Sequence, residues 1–221
     1  MPATVICCAN LKGGAGKSTI AVNIAAALAA GGPVALVDAD AQGTATAWAE
    51  AGHLPPKLTV HAMPLAADTP AAIRDWIGRV VAMKADARHV IIDTPPNLAG
   101  VTTAALTVAD LALVPVPPSG MDVRATGAAL QLLRQARKVR GADKPRCVLV
   151  PSRVDRRTAS GREVEAVLSD FGEPVAPAVI QRAAMVDAFS AGQWIGDYAP
   201  RSAGHVEIEA LAALAKRIAA R

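Results

Sequence analysis

An octet of small and basic residues near the N-terminus constrains this chain more than any other feature. It reads Lys-Gly-Gly-Ala-Gly-Lys-Ser-Thr over 12–19, after an apolar run at 5–9 and before a helix-like run at 20–30. A strand, a glycine-rich loop and a helix in this order form a cradle for phosphate, because the glycines admit close approach and the helix offers free N–H groups. The predicted nucleotide-binding residues of the loop are Gly13, Gly14, Ala15, Gly16, Lys17, Ser18 and Thr19.

Two side chains of the octet have predicted roles in this cradle. Lys17 would place a positive charge on the outer phosphates, and the Ser18 hydroxyl would be a ligand of the magnesium that accompanies the nucleotide. The alternative is a glycine-rich turn that binds nothing. The order of strand, loop, Lys-Ser and helix favours the phosphate site.

The rest of the sequence indicates a single α/β domain over residues 1–221. Apolar residues make up 52% and aromatic residues 3%, so the core is built from small aliphatic side chains, which suits helices packed on a parallel sheet. Short apolar runs alternate with helical patterns, which predicts a three-layer fold with a mostly parallel, twisted sheet and helices on both faces. The predicted strands cover 4–9, 33–38, 58–63, 89–93, 111–116, 146–151 and 175–179.

Local signals also predict where two helices begin. Thr69 before Pro70 is typical of an N-cap followed by a first-turn proline. Ser160 and Glu163 have the spacing of a capping box ahead of an apolar helix face.

Cysteine content and hydropathy predict a soluble protein of the cytoplasm. The three cysteines, Cys7, Cys8 and Cys147, form neither a C-x-x-C motif nor an even disulfide framework, which fits a reducing compartment. Charged residues, glycines and prolines interrupt every apolar run before about 18 residues, and Lys12 comes too early for a signal peptide.

Carboxylates follow two of the predicted strands. Asp38 ends the second strand and Asp40 follows it, and Asp93 ends the fourth. Ligands of open α/β sheets bind beyond the carboxyl ends of the strands, so these side chains would lie near the phosphate loop. A lone carboxylate buried at Asp93 would cost several kcal/mol without a cation, and this predicts magnesium. The alternative is a helix cap for Asp93 and a solvated acidic turn for Asp38 and Asp40.

The octet differs from the strict phosphate-loop pattern, since Leu11 replaces its first glycine and Lys12 is an additional lysine. K-G-G-x-G-K-[ST] resembles the deviant Walker A motif of the ParA/MinD family. D-x-D-x-Q at 38–42 and D-x-P-P at 93–96 resemble that family's switch I and switch II. The resemblance covers nearly the whole chain and is strongest with short ParA-type partition or positioning ATPases that lack an N-terminal helix-turn-helix domain. It implies a P-loop fold and a weak, magnesium-dependent ATPase.

The resemblance also implies roles for individual residues. Lys12 would reach phosphates held by a second copy of the chain, so that ATP joins a homodimer. Asp40 would orient the attacking water, although Ala41 follows it where the family usually has proline. The implied catalytic residues are Lys12, Lys17 and Asp40, the implied magnesium site comprises Ser18, Asp38 and Asp93, and Ser152 and Arg153 occupy the place of the family's Asn-Arg pair near the base.

The C-terminal half carries the basic excess. Residues 1–120 contain 7 Lys/Arg and 8 Asp/Glu, whereas 121–221 contain 16 and 11. Together with the resemblance, this predicts nonspecific binding to DNA phosphates, a nucleoid-associated location and a ParB-like or cargo-bound adaptor. The predicted DNA-binding residues are Arg153, Arg156, Arg157, Arg182 and Arg201. A solvated helix face is the alternative for Arg134, Arg137, Lys138 and Arg140.

Two other functions remain as alternatives. A MinD-like membrane-cycling ATPase would need an amphipathic C-terminal helix, but Val206, Ile208, Leu211, Leu214 and Ile218 are expected to pack on the sheet, and no Phe or Trp accompanies them. A P-loop metabolic kinase or synthetase would need a second substrate pocket, for which the sequence offers no candidate residues. Three cysteines in strands do not suit an iron–sulfur reductase.

Overall fold

Six parallel strands form the centre of the computed structural model, which describes residues 3–97, 99–141 and 143–220. The strands are β1 Thr4–Cys8, β2 Val34–Asp38, β3 Leu58–Ala62, β4 His89–Asp93, β5 Leu111–Val116 and β6 Arg146–Pro151. They lie side by side in the order β3-β2-β4-β1-β5-β6. The helices are α1 Lys17–Ala29, α2 Thr44–Glu50, α3 Pro70–Ala82, α4 Ala99–Val108, α5 Gly120–Arg140, α6 Ala159–Ser169, α7 Ala183–Ser190, α8 Ile195–Tyr198 and α9 Ala203–Ala219.

Helices cover both faces of the sheet, and the predicted three-layer α/β fold is confirmed. Successive strand residues point to opposite faces, so Ile6 and Cys8 belong to the core shared with α1 and α9. Val5 and Cys7 belong to the core on the other face, under α3, α4, α5 and α6. Because all strands run the same way, their carboxyl ends form one edge, where the loops carrying the predicted site residues meet.

The C-terminal helix α9 uses its apolar face inside the protein. Ile208 and Leu211 are buried, and Leu214 and Ile218 pack against the same core. Val206 is the exception, because 60% of its surface is exposed, so the prediction for this residue was wrong. No helix among the described residues has both the length and the apolar character needed to cross a bilayer.

Two local predictions were wrong. Over 175–179 the described chain forms only an isolated parallel bridge between Val175 and Leu149. The ladder stops after the bond from Ala176 N to Leu149 O, because the next donor on β6 would be the N–H of residue 151, which is a proline. The N-cap of helix α6 lies two residues before Ser160, the first residue of the predicted capping box. This N-cap is Thr158, whose hydroxyl accepts a hydrogen bond from Gly161 N at 3.0 Å. The predicted cap at Thr69 is confirmed.

Candidate functional site

The octet forms a loop between β1 and α1 and turns directly into the helix. Gly14 and Gly16 have φ angles of 74° and 90°, a left-handed conformation that side chains disfavour, so glycine is required for this path. Gly16 is also the N-cap of the 13-residue helix α1. Since it has no side chain to accept a hydrogen bond, the first N–H groups of α1 stay open to an anion.

Side chains from other strands fix the loop from outside. Ser152, which is buried after β6, donates its hydroxyl to Ala15 O at 2.8 Å, and Arg153 donates to Gly14 O at 2.8 Å. Asn10 donates to Pro115 O at 2.7 Å and accepts from Lys12 N at 3.0 Å. Ser152 and Arg153 therefore reach the phosphate loop, where they hold its carbonyl groups. Asn10, the first polar residue after the strand, was not among the predicted site residues.

Lys17 is a buried cation that lies among carboxylates. Its side chain is buried, and its ammonium group donates a hydrogen bond to Lys12 O at 3.0 Å. Burial lowers the pKa of Lys17, while Asp93 and Asp40 act in the opposite direction. A desolvated ammonium group at the base of a phosphate loop is suited to a strongly anionic partner such as a nucleotide phosphate.

Asp93 is the most unusual carboxylate of the chain. It is fully buried at the end of β4, and neither carboxylate oxygen has a hydrogen-bond partner in the part of the chain that the structure describes. Burial raises the pKa of Asp93 to about 7, while the nearby Ser18 hydroxyl and Lys17 oppose the shift. Two free oxygen atoms beside a serine hydroxyl fit a magnesium ion, which prefers oxygen ligands and would compensate the buried charge.

Asp38 lies opposite Asp93 in the sheet but has different contacts. One oxygen accepts hydrogen bonds from Thr46 N at 2.8 Å and Thr46 Oγ1 at 2.9 Å, and the other accepts from Asp40 N at 3.2 Å. The carboxylate therefore holds the first turn of α2. Direct contact with magnesium would require Asp38 to give up these hydrogen bonds. Asp93, whose oxygen atoms have no hydrogen-bond partner among the described residues, is therefore the better candidate for a magnesium ligand.

A cavity of about 430 Å³ joins the loop to an apolar wall. Asp40, which is half-buried, lines it on the polar side together with the octet from Gly13 to Thr19. Trp48, Met185 and Phe189 form an apolar part of the lining. The volume and the division into a polar and an apolar part suit a nucleotide. Trp48 and Phe189 were not predicted as site residues, and only the fold brings them together, with ring centroids 5.0 Å apart.

Lys12 has a different environment from Lys17. Its side chain is about one third exposed, forms an ion pair with Asp122 in the first turn of α5, and is not among the described residues that line the cavity. Lys17 therefore lies in the phosphate loop of its own chain, whereas the Lys12 side chain lies beside the cavity and contacts Asp122.

The structure brings three of the predicted DNA-binding residues to one place. Arg156, Arg157 and Arg182 line a second cavity of about 560 Å³ next to the first. Each is ion-paired within the chain, as Arg156–Glu165 at 2.7 Å, Arg157–Asp155 at 2.7 Å and Arg182–Glu207 at 2.9 Å. Arg153 is directed to the phosphate loop, and Arg201 is exposed elsewhere on the surface. The charges of this surface are thus partly neutralised, which the sequence did not show.

Comparisons with known proteins agree with this site. The family model of the CobQ/CobB/MinD/ParA nucleotide binding domain matches residues 6–194, so the chain belongs to that family. It is an ATPase of the ParA/MinD type that uses ATP and magnesium.

Named relatives are found over most of the chain. It is 35% identical to the chromosome-partitioning ATPase Soj of Thermus thermophilus, over 90% of each chain. It is 34% identical to the maintenance of carboxysome distribution protein A of Halothiobacillus neapolitanus, over 80% of this chain and 79% of that protein. An ATP complex of a Cyanothece McdA variant has a TM-score of 0.81 at 15% identity, over 98% of this chain and 96% of that one, which shows a common fold.

Proposed function

We propose that this chain is an ATP-dependent dimerising ATPase that binds DNA nonspecifically and partitions or positions a cargo. The cargo would be a plasmid, a chromosome region or a protein cluster, and a ParB-like or cargo-bound adaptor would stimulate hydrolysis. The names of Soj and of the carboxysome distribution protein support this proposal. The protein would work in the cytoplasm in association with the nucleoid, with residues 1–221 acting as one domain.

The position of Lys12 carries the proposal. Lys17 already serves the phosphates of its own chain, whereas Lys12 projects beside the cavity with part of its side chain in solvent. A second lysine in this position is suited to a phosphate held by another copy of the chain. Contact by a cation supplied from a second subunit stabilises phosphoryl transfer and joins the two subunits at once.

The other residues of the site have separate proposed tasks. The N–H groups of the loop and Lys17 bind the phosphates, and Ser18 with Asp93 would hold magnesium, which neutralises phosphate charge when bound. Asp40 would accept a hydrogen bond from the attacking water and orient it. Loss of the terminal phosphate would then remove an anion that Lys12 of the partner subunit contacts, so hydrolysis weakens the dimer.

The cavity lined by Arg156, Arg157 and Arg182 is the proposed DNA surface. The ion pairs of Arg156 and Arg157 do not prevent this role, because exposed pairs contribute little and an arginine can exchange a carboxylate for a phosphate. The Arg157 side chain is 91% exposed, so its exchange should be the easiest. Contacts of this kind neutralise backbone charge and carry no base specificity.

Neutral substitutions test this surface better than charge reversal, because glutamate at 157 would face Asp155 and glutamate at 156 would face Glu165. The double variant Arg156→Gln/Arg157→Gln should bind ATP normally and lose DNA retention. The magnitude of its slope of log affinity against log salt should decrease by about 2 for each copy of the chain whose two residues contact phosphates, and so by about 4 for a dimer.

The matched control is Arg134→Gln/Lys138→Gln, which removes two exposed charges from α5. We expect it to retain DNA, as measured by retention on nonspecific duplex DNA with ATP and magnesium. Equal loss in both double variants would contradict a specific role of the cavity. A fluorescent fusion would give the same comparison in cells, where a nucleoid signal is expected and a membrane signal would favour the MinD-like alternative.

A further inference from the structure

The chain that follows the loop after β6 runs along the edge of the sheet and forms a wall of both cavities. Val154 N donates to Val179 O at 3.2 Å, and Gln181 N donates to Val154 O at 2.9 Å, so Ile180 forms an isolated parallel bridge with Val154. Ile180, Gln181 and Arg182 line the cavity of about 430 Å³ and also the cavity of about 560 Å³. Residues 180–182 are called the shared wall below.

Glu207 on α9 completes the hydrogen bonding of this edge. The bonds to Val154 use the backbone groups of Val179 and Gln181, so the N–H group of Ile180 lies outside this ladder. Glu207 Oε2 accepts a hydrogen bond from it at 3.0 Å. Because a backbone N–H group without an acceptor is unfavourable inside a protein, the carboxylate takes the place that a further strand would have at this edge.

Glu207 also holds the other end of the shared wall. Its two oxygen atoms accept hydrogen bonds from the Arg182 guanidinium group, each at 2.9 Å, and a fork of this kind fixes the direction of both side chains. Arg182 is the N-cap residue of α7, which carries the apolar residues Met185 and Phe189 into the nucleotide cavity. One carboxylate therefore holds both the shared wall and the start of α7.

The nucleoside of ATP has to contact this part of the cavity. The loop over 13–19 takes the phosphates, so the base and the ribose contact the remaining lining. Ser152 and Arg153 already use their side chains to bind carbonyl groups of the loop. The shared wall and α7 supply much of the rest. Glu207 is not among the described residues that line the cavity, so its effect on a nucleoside passes through the shared wall.

We propose that Glu207 is a positioning residue for nucleotide binding, which holds Ile180 and Arg182 so that the shared wall is in place for the nucleoside. The phosphate loop is held by other side chains and does not depend on Glu207. Loss of Glu207 therefore weakens the contacts of the nucleoside and leaves those of the phosphates. A single chain with a bound nucleotide is sufficient for this role, so it holds whether or not the chain dimerises or binds DNA.

Amide hydrogen exchange in the nucleotide-free chain tests the contact with Ile180 directly. In Glu207→Ala the N–H group of Ile180 loses its acceptor, and we expect it to exchange about tenfold faster or more. Glu207→Gln keeps a carbonyl oxygen that can accept from this N–H group, so the exchange rate should stay close to that of the wild type. Nuclear magnetic resonance resolves this single amide.

The effect on binding is measured with two probes, magnesium ADP and magnesium pyrophosphate, by isothermal titration calorimetry. Pyrophosphate carries the same phosphates as ADP without the nucleoside, and ADP lacks the terminal phosphate that joins two copies in the proposed function. Glu207→Ala should weaken ADP binding about tenfold and change pyrophosphate binding by less than about twofold. Glu207→Gln should weaken ADP binding about threefold, because the fork with Arg182 loses its charge.

Glu209→Ala is the matched control. It removes a carboxylate from the same helix, two residues further along, where Glu209 lies 3.5 Å from His205 and is exposed. We expect it to change neither the exchange of Ile180 nor the affinity for either probe.

A merely structural role of Glu207 predicts a different result. Equal weakening of ADP and pyrophosphate binding in Glu207→Ala would overturn the proposal, and so would an unchanged affinity for ADP. If Glu207→Ala does not fold, the same two criteria apply to Glu207→Gln. A wild-type chain that stays monomeric with ATP would contradict the proposed dimer and would leave these measurements as they are.

Discussion

Asp38 and Asp93 show how position within a site decides what a carboxylate does. They face each other across β2 and β4, yet three hydrogen bonds satisfy Asp38 whereas the described residues offer none to Asp93. Burial without hydrogen bonds disfavours the charged form, which is why the pKa of Asp93 is raised to about 7. Asp93 therefore carries a proton for part of the time until a cation arrives.

This raised pKa predicts a pH dependence at one residue. Because magnesium needs the ionised carboxylate, the magnesium-dependent affinity for ATP should increase about tenfold between pH 6 and pH 8. The stability of the nucleotide-free protein should depend on pH in the opposite direction. The folded state binds the proton of Asp93 more tightly than the unfolded chain does, so the free energy of unfolding should decrease as the pH rises from about 4 to about 7. Isothermal titration calorimetry and urea denaturation measure the two effects. Both should be lost in Asp93→Asn, and an equal pH dependence in that variant would contradict the assignment.

At the scale of elements, α2 links the phosphate site to the C-terminal region. Asp38 holds its first turn, and Trp48 on its buried side donates to Gln193 O at 3.0 Å and packs edge-on against Phe189. Since Asp40 lies between β2 and this helix, its position depends on contacts at both ends of α2. The link could not be predicted from the sequence, because Trp48 and Gln193 are 145 residues apart.

The start of α6 gives a direct test of an element boundary. Thr158→Ala removes the side chain that accepts from Gly161 N, and we expect the free energy of unfolding to decrease by about 1 kcal/mol. Ser160→Ala is the control, since Ser160 lies within the first turn of the helix and should change stability by no more than a few tenths of a kcal/mol. Urea denaturation measures both. A larger effect at Ser160 would restore the capping box that the sequence predicts.

The sequence predicts the six strands and the fold class because apolar periodicity and turn residues are local signals. It failed at 175–179, where an apolar composition suggested a strand although Pro151 on the neighbouring strand has no N–H to continue the hydrogen-bond ladder. It placed the phosphate loop and the strand-end carboxylates at one edge, as the fold shows. It could not show that the Asp38 carboxylate accepts hydrogen bonds from Thr46. Nor could it show that Arg156, Arg157 and Arg182 have acidic partners, because these contacts depend on how the chain packs.

At the scale of the whole molecule, the two lysines of the octet define the central claim. Lys17 is directed into its own chain, whereas Lys12 lies beside the cavity and is held by Asp122. In the proposed dimer, both copies of the chain contact ATP, and DNA retention follows from dimerisation. The apolar face of α9 already packs within the protein, which does not favour attachment to a membrane through this helix.

The most direct test is the mass of the 22.5 kDa chain in solution, measured by light scattering with and without ATP and magnesium. Asp40→Ala should slow hydrolysis and preserve the ATP-bound state during the measurement. In that background we expect the mass to double with ATP, and adding Lys12→Ala should abolish the doubling while nucleotide binding through Lys17 persists. A doubling that survives the loss of Lys12, or a mass that does not respond to ATP at all, would contradict the account.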